Sequence, residues 1–317
     1  MKKFKTIDEQ IQILLDRGLV INDIKKAKLY LLSQNYYNII NGYASYFPRN
    51  GEQYTNNTNF DEIARLYVFE REIKQSIFQA IIAMETHLNA IFTYRFAEAY
   101  PDIPYAYLNI ECYDRKQTLS VISTISKLSK TIDKYRRYKN NNSIVHYINN
   151  HQDVPIWVLA NYLDFGDIRH MLMSSTTKIQ NAVAKDLMSF IRQHMPEAQT
   201  FPPETMLSFV ENINDVRNIC AHNNRLLGFN CRRDSKYWSS LHDKYNINEK
   251  DNRRNVYSVF ISLQCFLSVS EYGTMHNKIR KELCRLDNRL ETISINDILN
   301  KLGFPNDWHR NTDKITY

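Results

Sequence analysis

Residues 60 to 98 have one uninterrupted helical pattern, and a helix of that length constrains the fold more than any other feature of the sequence. Apolar side chains recur in it at every third or fourth position, which is the spacing of one buried stripe on a helix. The stripe consists of Ile63, Leu66, Tyr67, Ile73, Ile77, Ile81, Met84 and Leu88. Pro101 and Pro104 then end the helix. Because the chain has 7 glycines in 317 residues and no sustained strand alternation, we predict an all-α fold.

Two shorter helices precede this long one. Thr6 and Glu9 have the spacing of a capping box, which predicts a helix that runs to about Arg17 and ends at Gly18. Asn22 is the predicted N-cap of the second helix.

The second helix leads into a tyrosine-rich segment at residues 36 to 46. Its side chains are mainly aromatic and apolar, so they predict a packing surface rather than the polar reading face of a DNA-binding helix-turn-helix. Near the bend at Gly42, Tyr43 and Tyr46 could instead stack on bases.

The hexapeptide Arg217-Asn218-Ile219-Cys220-Ala221-His222 carries the most specific chemistry of the sequence. An arginine offers a fixed positive fork to a phosphate, and an imidazole can move a proton near neutral pH. Arg217, Asn218 and His222 are therefore candidate catalytic residues of a metal-free RNA-cleaving site. In that site Asn218 would orient the phosphate or the imidazole.

The helix that carries this motif opens after Pro202 and Pro203, and Arg217 falls inside its apolar stripe. A charge in that place needs a partner carboxylate, a second subunit or an anionic ligand. At about 100° per residue, His222 points about 140° away from Arg217. One phosphate can reach both only if the helix ends or bends here, or if two copies of the motif meet across a dimer. A purely structural ion pair near a helix end is the alternative.

Four blocks of sequence follow one another in a characteristic order. They are residues 32–47 with YY…GY…F, residues 60–73 with F…LY.FE..I running on to Ala83-Met84-Glu85, residues 155–167 with P.W…..FG, and residues 216–226 with RN..AH..RL. Together they resemble the Abi-like family of bacterial abortive-infection proteins, of the AbiD and AbiF type, which belongs to the HEPN superfamily.

The resemblance implies an HEPN-type helical bundle with additional N-terminal and C-terminal helices. It also implies a metal-independent ribonuclease whose site is completed by pairing two copies, and therefore a homodimer, since this chain has one such motif. Glu85 and Arg225 are the supporting residues, and Glu85 is the candidate ion-pair partner of Arg217. Asn89 stands where the family often has a basic residue, so we assign no phosphate contact there.

We divide the chain into three parts on these grounds. Residues 1–50 form an N-terminal helical segment, residues 51–275 an HEPN-like helical domain, and residues 276–317 peripheral C-terminal helices and a tail. An apolar helix at about 255–271 closes the bundle.

Basic side chains concentrate in two insertions of the central domain, a helical one at about 105–150 and a polar one at about 231–254. We interpret them as candidate contacts to an RNA backbone, with a solvated helix face as the alternative. In the first insertion they are Lys127, Lys130, Lys134, Arg136, Arg137 and Lys139. In the second they are Arg232, Arg233, Lys236, Arg253 and Arg254.

Composition narrows the class of protein further. A net charge of +7 suits a polyanionic partner. No apolar run approaches the length of a membrane span, and the polar start is unlike a signal peptide, so we predict a cytoplasmic protein without membrane contact. The 5 cysteines lack paired spacing and the histidines are scattered, which predicts reduced thiols, no metal site and no cofactor.

The leading interpretation is an abortive-infection endoribonuclease that acts on RNA in phage defence. The alternative is a non-cleaving RNA-binding or sensor module that holds a structured small RNA or a phage component. An enzyme that a bound small RNA keeps inactive lies between the two. The RNA substrate, its cleavage specificity and the phage trigger have no signature in the sequence.

Overall fold

The computed structural model describes residues 3–138 and 142–317 and is mainly helical, which confirms the predicted all-α class. The helices are α1 (Ile7–Asp16), α2 (Ile24–Gln34), α3 (Phe60–Ala99), α4 (Thr118–Arg136), α5 (Ser143–His151), α6 (Ile156–Leu159), α7 (Phe165–Ser174), α8 (Thr177–His194), α9 (Pro203–Ala221), α10 (Ser239–His242), α11 (Val256–Ser262), α12 (Val269–Asp287), α13 (Ile295–Leu302) and α14 (Trp308–Asn311). A π-helical turn spans Tyr37–Asn41. Strands β1 (Arg49–Asn50) and β2 (Gln53–Tyr54) pair as a short antiparallel hairpin.

Helix α3 is the central element of the molecule. It has 40 residues, and every member of the predicted apolar stripe is buried along it. Helices α8, α9 and α12 pack against this stripe. The predicted long helix is confirmed, and α9, which carries Arg217, is one of the helices that pack against it.

The N-terminal helices begin where local capping chemistry places them. Thr6 and Glu9 form the predicted capping box of α1. The N-cap of α2 is Asp23 rather than Asn22, because the Asp23 carboxylate accepts a hydrogen bond from the backbone N–H of Lys26 at 2.9 Å. Helix α2 ends at Gln34, since Asn35 adopts a positive φ of 69°.

The C-terminal part differs from the expectation. The helix predicted at about 255–271 stops at Ser262, and Ser268 caps a new helix, α12, with Glu271. Helix α12 packs along α3 and buries Tyr272, Ile279 and Leu283. Residues 276–317 are therefore not wholly peripheral, because the first of their helices contributes to the core.

A buried glutamate of α3 forms hydrogen bonds with this C-terminal part of the chain. Glu62 has no exposed surface, and its carboxylate accepts hydrogen bonds from the backbone N–H groups of Glu291 and Thr292 at 2.7 and 3.0 Å. The Thr292 hydroxyl donates a further bond at 2.9 Å. The loop between α12 and α13 is thereby held against the N-terminal turn of α3.

Within residues 3–138 and 142–317, no helix has both the length and the apolar character that crossing a membrane requires.

Candidate functional site

Arg217 lies on the last two turns of α9 and reaches across to α3. Its Nε donates a hydrogen bond to Oε1 of Glu85 at 3.1 Å, and the side chains of Arg217 and Glu85 are 27% and 16% exposed. The guanidinium carbon lies 6.0 Å from the centre of the Phe78 ring. Glu85 engages Nε, whereas Nη2 has no hydrogen-bond partner within the described residues and can donate to a ligand.

His222 is the C-cap of the same helix. Its backbone N–H donates to the carbonyl of Asn218 at 3.1 Å, and the next residue, Asn223, takes a positive φ of 51° that ends the helix. The imidazole is exposed and has no hydrogen-bond partner within the part of the chain that the structure describes. The helix end required for Arg217 and His222 to approach one ligand is therefore present.

Asn218 and Arg225 flank these two residues differently. The Asn218 side chain is exposed, and its Oδ1 lies 3.5 Å from Nη1 of Arg217. Arg225 follows the helix end, and its Nη1 donates to the carbonyl of Gly42 at 2.7 Å. Arg225 also lies over the Tyr46 ring, with its guanidinium carbon 5.9 Å from the ring centre. Asn218 thus lies beside Arg217 at the surface, whereas Arg225 connects the chain after α9 to the tyrosine-rich segment.

A buried carboxylate that sequence reasoning missed holds the loop after His222. Glu70 of α3 has no exposed surface, and its Oε1 accepts the backbone N–H groups of Leu226 and Leu227, each at 2.7 Å. The Tyr43 hydroxyl donates to its other oxygen, and Nζ of Lys74 lies 3.7 Å away. Glu70 therefore fixes the course of the chain that leaves α9.

Lys74 completes this network from the same face of α3. Its ammonium donates to Oδ1 of Asn223 at 2.7 Å and to the carbonyl of Asn224 at 3.1 Å. Position 70 lies in the three-and-four series of the α3 stripe, between Leu66 and Ile73. An acidic residue at a buried position of that series was a signal that could have identified Glu70 from the sequence.

The third sequence block also approaches the site. Burial raises the pKa of Glu85, the positive charge of Arg217 opposes that shift, and the negative charge of Asp164 reinforces it. Asp164 is the N-cap of α7 and accepts the backbone N–H of Asp167. Residues of all four sequence blocks therefore interact with Arg217, with its partner Glu85 or with the chain after His222.

Two neighbouring positions have no direct part in this arrangement. Asn89 follows Glu85 by one turn of α3, and its buried Oδ1 has no hydrogen-bond partner in the described chain. Cys220 lies beside Lys74 and Glu70, and burial raises the pKa of its thiol to about 12. The thiol is therefore protonated at neutral pH and packs as an apolar side chain.

The basic residues predicted to contact RNA on α4 are partly engaged in ion pairs. Lys127 lies 2.6 Å from Asp167 and 3.1 Å from Asp164. Arg136 and Arg137 both pair with Asp133, at 2.9 and 2.6 Å. Lys130 and Lys134 are exposed and form no ion pair in the described chain. The predicted contact at Lys139 lies outside the described residues.

The second insertion contains one residue that does not fit the RNA-contact prediction. Arg253 is only 9% exposed, and its guanidinium donates to carbonyls of its own loop, including those of Ser235, Glu249 and Asp251. Arg253 stabilises its own loop, because the donors of a buried guanidinium need hydrogen-bond acceptors and these carbonyls provide them. Arg232 pairs with Asp215 at 2.8 Å.

The other predicted contacts of this insertion remain available. Arg233, Lys236 and Arg254 are exposed, with no ion pair among residues 3–138 and 142–317. In the same part of the chain, no group of three or more His, Cys, Asp or Glu side chains is placed to hold a metal ion.

The comparisons with known proteins give one match. Residues 29–228, well over half of the chain, match the family described as Abi-like protein, and all four blocks lie inside that range. No curated protein and no solved structure matches the chain. The family match supports a role in abortive infection. On this match, the chain belongs to the Abi-like protein family.

Proposed function

We propose that this chain is an abortive-infection endoribonuclease of the HEPN type, which cleaves RNA without a metal ion at the end of α9. The observation that carries the proposal is the presence of two unlike groups on the last turns and the C-cap of α9. One is the Arg217 guanidinium, which Glu85 orients through Nε, and the other is the exposed, unpartnered imidazole of His222. A phosphate needs the first group and a proton transfer needs the second.

The proposed reaction is a transesterification within the RNA. His222 takes the proton of a ribose 2′-hydroxyl, or gives a proton to the 5′-leaving oxygen, while Arg217 stabilises the charge that develops on the phosphorus oxygens. The 2′-oxygen forms a bond to phosphorus as the bond to the 5′-oxygen breaks. The products are a 2′,3′-cyclic phosphate and a 5′-hydroxyl, and no water or metal ion is consumed. Asn218, at the exposed edge of Arg217, orients the phosphate.

We further propose that two copies of the chain complete the site. Arg217 and His222 are 5 positions apart, and within the described residues no hydrogen bond joins their side chains. Within one copy, the described residues provide no group that orients the His222 imidazole. A second copy placed against the end of α9 would supply that group and a second guanidinium.

A structural role for Arg217 is the competing account, and the Glu85 ion pair favours it. A half-buried arginine that already has a carboxylate partner can serve packing alone. In that case the protein would bind RNA or a phage component without cleaving it.

The double variant Arg217→Met with Glu85→Gln separates these accounts. It removes both charges together, so neither partner is left buried and unpaired. We expect the double variant to fold with a melting temperature near that of the wild type and to lose RNA cleavage in EDTA. If it cleaves RNA as the wild type does, Arg217 has only a structural role. Wild-type cleavage that disappears in EDTA and returns with magnesium would contradict the metal-free mechanism.

A further inference from the structure

A groove at the N-terminal end of the molecule has the lining of a nucleic-acid site. This N-terminal groove lies between α1, the segment from Asn35 to Ser45, and the β1–β2 hairpin, and it encloses about 690 Å³. That volume lies within the range of about 300–1,000 Å³ in which small-ligand pockets fall. The groove is distinct from the end of α9, because none of its lining residues belongs to that helix.

The charge of the N-terminal groove is positive. Within the described residues its lining includes Lys3, Lys5, Arg17 and Arg49 but a single acidic side chain, Glu52. Glu52 forms an ion pair with Arg17, whose Nη2 lies 2.6 Å from the Glu52 carboxylate. Lys3 and Arg49 form no ion pair in the described chain. These uncompensated cations favour an anionic ligand.

Tyrosines give the N-terminal groove a second feature of nucleic-acid sites. Tyr37 is 69% exposed, and its backbone N–H donates to Oδ1 of Asn35 at 2.9 Å. A large aromatic ring exposed in the same groove as free cations offers a flat face to an unpaired base. The exposed ring has no aromatic neighbour within the described chain.

Two further phenols of the N-terminal groove are hydrogen-bond donors. The hydroxyls of Tyr36 and Tyr54 have no hydrogen-bond partner in the part of the chain that is described. Burial raises the pKa of both phenols, although the charge of Arg17 opposes the shift. Both hydroxyls therefore keep their protons and can donate to phosphate or base oxygens.

The tyrosine-rich segment at residues 36 to 46, which lines the N-terminal groove, also contacts the chain after His222. On one side it contributes Tyr37 and Asn41 to the groove. On the other side the Tyr46 hydroxyl donates to the carbonyl of Leu227 at 3.0 Å, and Arg225 donates to the carbonyl of Gly42. A strand bound in the groove therefore lies on an element directly joined to the end of α9.

We propose that the N-terminal groove binds single-stranded RNA, with Arg49 and Lys3 on backbone phosphates and Tyr37 stacked on a base. Binding depends on the groove alone. The delivery of the strand to His222 rests on the proposed ribonuclease function.

The test measures RNA affinity in the absence of cleavage. The full chain with His222→Ala is titrated, in EDTA, against a labelled oligouridylate of about 12 nucleotides, a length typical of single-strand binding sites. Arg49→Glu is compared with Arg192→Glu, an exposed arginine of α8 outside the groove that gives the same change in net charge. Tyr37→Ala is compared with Tyr37→Phe, which keeps the ring. Arg49 and Tyr37 are exposed, so the core is not disturbed.

We expect Arg49→Glu to weaken RNA binding at least about tenfold and Arg192→Glu less than about twofold, because only the first faces the strand. Tyr37→Ala should weaken binding about tenfold, and Tyr37→Phe should have no effect. Equal losses for the two arginine variants would overturn the proposal, since net charge alone would then explain them. Inorganic phosphate or uridine monophosphate competing as well as the RNA would overturn strand binding in favour of a small-ligand site.

Polyglutamate serves as the protein-like polyanion in a parallel titration. If Arg49→Glu weakens its binding as much as RNA binding, and Tyr37→Ala changes neither, the groove fits an acidic protein and the RNA proposal is wrong. The cleavage assay on the wild type is read separately. If the wild type leaves the RNA intact and the groove variants lose binding, the groove proposal holds and the ribonuclease proposal is wrong. If the wild type cleaves the RNA and the groove variants bind it as the wild type does, the ribonuclease proposal holds and the groove proposal is wrong.

Discussion

Glu70 shows how one residue can determine the geometry of a site that it does not touch. Its carboxylate is fully buried and accepts hydrogen bonds from Tyr43, Leu226 and Leu227, three residues far from it in the sequence. Lys74 supplies the opposite charge within the same network. A buried carboxylate of this kind is stable only while its partners remain, because desolvation otherwise disfavours the charge.

We predict that Glu70→Gln lowers the free energy of unfolding by about 3 kcal/mol, because it leaves the Lys74 ammonium buried without a counter-charge. Urea unfolding of the purified variant measures the change. Glu98→Gln is the matched control on α3, since Glu98 is half-exposed and its pair with Arg95 lies at the surface. The control should lose less than about 1 kcal/mol. Similar losses for both variants would show that the Glu70 network contributes little.

The pKa of Glu85 gives a pH-dependent prediction. Burial raises this pKa in the folded protein above its ordinary value of 4.5. The stability that Glu85 contributes is therefore fully present below pH 4.5 and is lost as the pH rises through the folded-state pKa. Glu85→Gln removes this titration.

The measurement for Glu85 is the difference in melting temperature between wild type and Glu85→Gln. We expect the melting temperature of the wild type, relative to that of Glu85→Gln, to decrease as the pH rises from about 4.5 to about 7. Glu204→Gln, an exposed glutamate in the first turn of α9, is the control for general effects of pH. An advantage of the wild type that grows with pH would contradict a raised pKa for Glu85.

At the scale of elements, Lys127 joins two helices that the sequence does not place together. It lies on α4, and its ammonium contacts both carboxylates of the α7 capping box, Asp164 and Asp167. Lys130 lies three positions further along α4 and forms no ion pair in the described chain. The two lysines look equivalent in the sequence, but they have different surroundings.

We predict that Lys127→Ala lowers the free energy of unfolding by about 0.5–1 kcal/mol, the range of exposed or partly exposed ion pairs. Lys130→Ala should leave it unchanged, and only Lys130→Ala should reduce the salt dependence of RNA binding. Thermal unfolding and RNA titrations at two salt concentrations check both expectations. The assignment fails if the two variants behave alike.

Local patterns predicted several of the helices, and long-range contacts account for the differences. The spans of α1, α3 and α9 follow from capping residues and apolar periodicity, which neighbouring residues in the chain determine. The break at Ser262 and the burial of Arg253 depend on partners that fold back from elsewhere. Periodicity carries no information on such partners.

The contacts of the candidate site also fall into those that local patterns predicted and those that they did not. The stripe position of Arg217 predicted a partner carboxylate, a second subunit or an anionic ligand, and the structure brings the Glu85 carboxylate to it. The pairing of Glu70 with the backbone of Leu226 and Leu227 joins residues more than 150 positions apart. No local pattern contains such a contact, although an acidic residue in the α3 stripe indicated that one was needed.

At the scale of the whole molecule, the proposed site requires two copies of the chain. We expect the protein to sediment at twice the 37.6 kDa of the chain and to cleave RNA with a rate that falls when dilution separates the copies. Analytical ultracentrifugation and a cleavage assay over the same concentration range measure both. Full activity per chain at concentrations where only monomer sediments would contradict the paired site.

The most direct test of the central claim compares three proteins on the same labelled RNA in EDTA. They are the wild type, His222→Ala, and Asn224→Ala, whose exposed side chain lies in the same loop without a hydrogen bond in the described chain. We predict that wild type and Asn224→Ala produce 2′,3′-cyclic phosphate ends, and that His222→Ala is at least about 100-fold slower while binding the RNA equally well. Equal cleavage by His222→Ala and wild type would contradict the account.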